Sequence, residues 1–135
     1  MPNTETLLVK GATFYAYHGA TQAQINQGQR FIMDAEVELD MTKACQDDQM
    51  DSSLLDCAEL YDILREMTTE RRYNLMQVLA LETIMEIKKR HPEVKKVTIG
   101  ACKASCVMWN DCKGKPCGNG IVQDRIGVTL TRIFD

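Results

Sequence analysis

The chain has 135 residues, 44% apolar and 26% charged, with a net charge of −3. That length suits a single domain over 1–135 with its own core, and the acidic balance excludes the basic surface that nucleic-acid binding needs. No run approaches eighteen apolar residues, and the opening MPNTETLLVKG lacks the basic and apolar regions of a signal peptide, so no membrane contact and a cytoplasmic location are expected. Thiols stay reduced there, and the six cysteines read first as small core residues, metal ligands or reactive groups.

In chain order, TLLVKGATFYAYHG is rich in β-branched and aromatic residues and predicts a first strand with an irregular end at Gly19. Residues 20–29, ATQAQINQGQ, read as a polar loop. RFIMDAEVELD alternates, with Phe31, Met33, Ala35, Val37 and Leu39 on one side and charged residues on the other, which predicts a half-buried antiparallel strand.

Two helices are expected next. In CAELYDILREMTTERR, Leu60, Ile63, Leu64 and Met67 fall at helical spacing behind Asp56, a suitable N-cap. In NLMQVLALETIMEIKKRH, Met76, Leu79, Ala80, Thr83 and Ile87 form one stripe, while Val78, Leu81 and Met85 form a second that calls for another cover. Lys88, Lys89 and Arg90 suit the C-terminal end of that helix, and Pro92 marks its stop.

VKKVTIGACK and DRIGVTLTRI alternate as strands again, giving the order ββααββ. The expected fold is α+β: a four-stranded antiparallel sheet with both helices on one face. Its open edges favour a homo-oligomer that joins sheets edge to edge.

Between the last two strands lies a cysteine-rich loop. Cys102, Cys106, Cys112 and Cys117 are separated by three, five and four residues, unlike the two-residue gaps common inside zinc ligand pairs. Cys102 and Lys103 are neighbours on a strand and should face opposite sides, which leaves three loop thiols. Unpaired thiols are favoured over a metal site or a disulfide, and the loop, which also carries Trp109, reads as a pocket rim or an oligomer contact.

Several motifs together carry a resemblance: FYAYHG at 14–19, GQRF at 28–31, AELY at 58–61, NL at 74–75 with a polar residue at 77, and a strand ending in Lys103. As a set they resemble the dihydroneopterin aldolase family, nearly ungapped from Leu7 to Lys103 and again at the last strand. The resemblance implies the tunnelling fold, in which ββααββ subunits form ring-shaped tetramers or octamers with pterin pockets between subunits. It implies retro-aldol cleavage or epimerisation of 7,8-dihydroneopterin, with no metal and no cofactor.

The family's working positions fall on four residues here. Lys103 is the lysine that supports ring protonation, and it is unchanged. Gln77 stands for a glutamate that anchors the ring edge, with Asn74 and Met76 beside it in the binding segment. Gln24 stands for a second glutamate that holds the substrate's side-chain hydroxyls. Cys57 stands for a proton-carrying tyrosine supplied by the neighbouring subunit.

An amide at 77 offers one acceptor and one donor, where a carboxylate offers two acceptors to paired ring N–H groups. It therefore also complements a 2,4-dioxo ring edge, as the glutamine of the related urate oxidases does. That is the alternative: a divergent paralogue binding another pteridine or a purine-like ring without aldolase activity. A thiol at 57 is shorter than a phenol but nucleophilic when its pKa falls, as in the related nitrile reductases. His18 reads as a structural histidine of the turn. With His91 it makes two histidines, too few for the three-histidine zinc site of the related pyruvoyl-tetrahydropterin synthases.

Overall fold

In the computed structural model, which describes residues 4–104 and 125–134, the alternation read from 30–40 is realised as β2 (Gln29–Leu39), whose side chains are buried and half-buried by turns. Phe31, Met33, Ala35, Val37 and Leu39 are all fully buried. β1 (Glu5–Ala16) pairs with β2, β2 with β3 (Lys96–Ala104), and β3 with β4 (Arg125–Ile133), every pair antiparallel. Register slips between Val9 and Ala12, where Gly11 takes φ 73° and its N–H donates to Asp34 Oδ1 at 2.6 Å.

Two long helices cover one face of this sheet. α3 (Cys57–Thr69) packs on β1 and β2, and α4 (Met76–Arg90) on β3 and β4. Asp56 caps α3 as expected, its Oδ1 accepting the Glu59 N–H at 2.8 Å. Leu60, Ile63, Leu64 and Met67 of α3 and Leu79, Ala80, Ile84 and Ile87 of α4 are fully buried, each large one worth about 1.5–3 kcal/mol of burial. The second stripe of α4 has no full cover among the described residues: Val78 and Met85 are exposed and Leu81 is half-buried.

The helices run antiparallel, tied by Glu59–His91, Glu66–Arg90 and Arg71–Glu86 contacts in that order. The start of α3 therefore lies beside the end of α4, a separation that decides which residues can share a site.

The sequence reading missed two short helices, α1 (Gln22–Gln27) and α2 (Thr42–Asp47). The stretch 20–29 is not merely loop. Thr21 and Gln24 close a capping box: the Thr21 hydroxyl accepts from the Gln24 N–H at 3.2 Å, and Gln24 Oε1 accepts from the Thr21 N–H at 3.2 Å. Among the described residues no helix is long and apolar enough to cross a membrane.

Candidate functional site

The segments that carry Gln24, Asn74, Met76, Gln77 and Lys103 approach one another near His18, which is buried in the turn between β1 and β2. Its Nε2–H donates to the Thr68 carbonyl at 2.7 Å, and its Nδ1 accepts from the Tyr73 N–H at 3.0 Å. One ring nitrogen donates and the other accepts, so this is a neutral imidazole of defined tautomer. Burial lowers the His18 pKa and Arg72 adds to that, against the Thr68 carbonyl, which favours the charged ring. The histidine is structural, as expected from YHG.

Two further bonds close the turn. The Gly19 N–H donates to the Tyr73 carbonyl at 3.1 Å, and Arg72 Nη2 donates to the Gly19 carbonyl at 2.6 Å. Tyr73 thus has both backbone groups held by the YHG turn, and its ring stacks on His18 at 5.9 Å and 9°. The segment it launches carries Asn74, exposed, Met76, half-buried against the core, and Gln77, exposed at the first turn of α4.

Lys103 reaches the same region from the sheet. It sits opposite Phe31 on one side and Ile126 on the other, on the face that the helices cover. Phe31 in turn meets His18 edge to face at 5.2 Å. Lys103, Phe31, His18 and Tyr73 therefore follow one another in a row, with the half-buried lysine at one end and the Asn74–Gln77 segment after the other.

Gln24 joins from α1. Its Oε1 accepts from the N–H groups of Ala20 at 3.0 Å and Thr21 at 3.2 Å, so both lone pairs are committed and its amide N–H groups are what it can offer a ligand. Gly19 permits this approach, because a Cβ there would lie 2.4 Å from Gln24 Oε1. Arg72, Tyr73 and the Gly19–Gln24 contact were not singled out from the sequence. The Thr21-x-x-Gln24 spacing was the available signal for α1.

Cys57 is the predicted residue that one chain does not bring here. It is exposed at the first position of α3, at the His91 end of the helix pair. Gln77 is the second residue of fifteen-residue α4, so nearly the whole helix, about 20 Å at 1.5 Å per residue, separates it from that end. Nine-residue β3 likewise carries Lys103 away from the start of α3 by about 20 Å. Cys57 can meet Lys103 only across a contact between copies.

Register puts Cys102 opposite Ile32 and Gly127, on the open face and away from Lys103, as expected. Burial pushes its thiol pKa up and Asp34 adds to that, while Arg125 opposes both, so it is a poor nucleophile at neutral pH. Cys106, Cys112, Cys117 and Trp109 lie outside the described residues, and among the described ones no group of three acidic, histidine or cysteine side chains is arranged for a metal. A shallow polar cavity on the open face is lined by Lys10, Asp34, Glu36, Thr98, Gly100 and Thr129, none of them a predicted site residue.

A family model, FolB: Dihydroneopterin aldolase, matches residues 7–114. The chain belongs to the dihydroneopterin aldolase family. A relative from Bacillus subtilis (strain 168), a dihydroneopterin aldolase, is 29% identical over 99 residues, covering 73% of this chain and 82% of its own. The fold matches the E. coli dihydroneopterin aldolase solved in complex with neopterin, with TM-score 0.74, 17% identity, and 95% and 98% of the two chains covered. It also matches the dihydroneopterin aldolase of Burkholderia thailendensis bound to guanine, with TM-score 0.68, 16% identity, and 98% and 93% covered. Those structures share the tunnelling fold with this chain.

Proposed function

We propose that this chain acts on 7,8-dihydroneopterin, releasing glycolaldehyde and 6-hydroxymethyl-7,8-dihydropterin or epimerising the side chain, in folate or pterin metabolism in the cytoplasm. The observation that carries the reading is the row Lys103–Phe31–His18–Tyr73, whose rings, buried at Phe31 and His18, link the strand-end lysine to the Asn74–Gln77 segment in a chain of this family. The neopterin and guanine held by the two structural neighbours each carry an amino group beside a ring N–H, the type of edge the segment would grip.

In the proposed reaction the bicycle binds beside that row with its edge on Gln77 and Met76, and with Asn74 at the entrance. Loss of the C2′ hydroxyl proton lets the C1′–C2′ bond break, and the electron pair moves into the ring, which takes a proton from Lys103. C1′ is then reprotonated as the ring gives its proton back, so the step is neutral overall. Gln24 orients the side-chain hydroxyls with its N–H groups. Cys57 of a second copy supplies the proton carrier, which requires a homo-tetramer or homo-octamer with the pocket between subunits.

The second reading has its own support in the amide chemistry. Neither Gln24 nor Gln77 is a carboxylate, and Gln24 has spent its oxygen on the Ala20 and Thr21 N–H groups. A ring with a 2,4-dioxo edge pairs better with the Gln77 amide than a 2-amino-4-oxo edge does. Incubation with 7,8-dihydroneopterin decides between the two: glycolaldehyde release supports the aldolase, and none at high enzyme concentration rejects it. A melting-temperature panel of both ring classes then identifies the preferred edge, since a ligand stabilises the state it binds.

A further inference from the structure

Tyr73 is held through its backbone and its ring by one side chain from another part of the chain. The His18 Nδ1 lone pair takes its N–H, the Gly19 N–H takes its carbonyl, and the imidazole stacks on its ring. The same imidazole abuts Phe31, the strand partner of Lys103. We propose that His18 is the positioning residue of the site, its unprotonated Nδ1 setting the Tyr73–Gln77 segment at its working distance from Lys103. The proposal rests on the reading of Asn74–Gln77 as the ring-binding segment.

The two bonds of His18 have separate jobs. Nε2–H to the Thr68 carbonyl ties the turn to the end of α3, and any donor at that place would serve. Nδ1 is the only part of His18 that bonds to the segment. A proton on Nδ1 would set N–H against N–H there and bring a positive ring beside Arg72, the charged group that acts on it. From the other elements it faces the Thr68 carbonyl of α3, the Tyr73 ring of the connecting loop and the Phe31 ring of β2.

Asparagine and glutamine separate the two jobs, because an Asn amide falls near the Nδ1 position and a Gln amide near Nε2. His18→Asn keeps an acceptor for the Tyr73 N–H, and His18→Gln keeps a donor for the Thr68 carbonyl. Both variants should melt lower than wild type, each having lost one bond. The KM for 7,8-dihydroneopterin should rise at least about tenfold in His18→Gln, and less than about threefold in His18→Asn, with kcat changed less than KM; one lost hydrogen bond of about 1.4 kcal/mol corresponds to tenfold.

Amide hydrogen exchange across 73–77, measured without ligand, should quicken at least about tenfold in His18→Gln and stay near wild type in His18→Asn. Equal exchange in the two variants, or exchange that follows melting temperature alone, overturns the positioning role. Wild-type protein that neither binds neopterin nor turns over 7,8-dihydroneopterin overturns the reading of the site, and the exchange result still decides whether His18 holds the segment.

Discussion

His91 Nε2 lies 2.6 Å from Glu59 Oε2, while its Nδ1 lies 3.0 Å from Glu93 Oε2. A buried imidazole with a carboxylate on each nitrogen can donate to both only as the cation, and in that form it clamps the start of α3 to the turn after α4. Burial disfavours the charged ring, but the bonds to Glu59 and Glu93 outweigh it and raise the His91 pKa above 6.5. A raised pKa means that the clamp's stability is fully present below pH 6.5 and is lost as pH rises through the folded value. The melting-temperature difference between wild type and His91→Gln should therefore be largest near pH 5.5 and shrink toward pH 8.5. A difference that is flat or grows with pH would show that the ring is neutral in the fold.

Gln77→Glu restores two acceptors at the ring edge. It should tighten binding of a 2-amino-4-oxo ring such as neopterin about 10- to 100-fold, the effect of a charge-assisted bond worth about 1.5–3 kcal/mol. Titration calorimetry of both proteins with neopterin measures this. Unchanged affinity would mean that residue 77 does not touch the ring.

Cys57 and Lys103 can be tested as parts of one site drawn from two copies. Cys57→Ala and Lys103→Met should each lower turnover of 7,8-dihydroneopterin about 10²- to 10⁴-fold, as expected for lost proton carriers. Mixed and reassembled, the two inactive proteins should regain activity, because some pockets then take Lys103 from one copy and Cys57 from the other. No recovery in mixtures proven to exchange subunits would argue against a shared pocket.

Gly28 ends α1 at φ 68° and ψ 179°, a backbone region essentially limited to glycine. A Cβ there would also lie 2.7 Å from the rings of Tyr15 and Tyr17. Tyr15 donates its hydroxyl to the Gln27 carbonyl, so its ring cannot swing away without losing that bond. Gly28→Ala should cost about 2–3 kcal/mol, read as a lower denaturant midpoint with an unchanged slope.

Thr68 Oγ1 is buried with no hydrogen-bond partner among the described residues, although its carbonyl serves His18. Thr68→Val keeps the shape and removes a hydroxyl that has been desolvated without compensation. It should raise the melting temperature by up to about 4 °C, corresponding to about 1 kcal/mol. A fall of the same size would mean that the hydroxyl has a partner.

The periodicity of single segments determined much of this protein. Strict alternation placed Phe31 to Leu39 on the covered face of β2, and helical spacing placed Leu60 to Met67 inward on α3, because burial on one side of a repeating backbone leaves its period in the residues. Neighbouring strand positions alone set Cys102 and Lys103 on opposite faces. The family motifs alone single out Asn74, Gln77 and Lys103 as candidates.

Only the tertiary structure decided which of these residues meet. Position 18 is 55 residues from Tyr73, and no local pattern reports that one imidazole joins that loop, the end of α3 and the strand partner of Lys103. Nor does a pattern show that the antiparallel helix pair carries Cys57 to the far end of its own chain. A hydrogen bond between distant segments depends on how strands and helices pack, and such packing is set by the whole core at once rather than by the spacing of residues along one element.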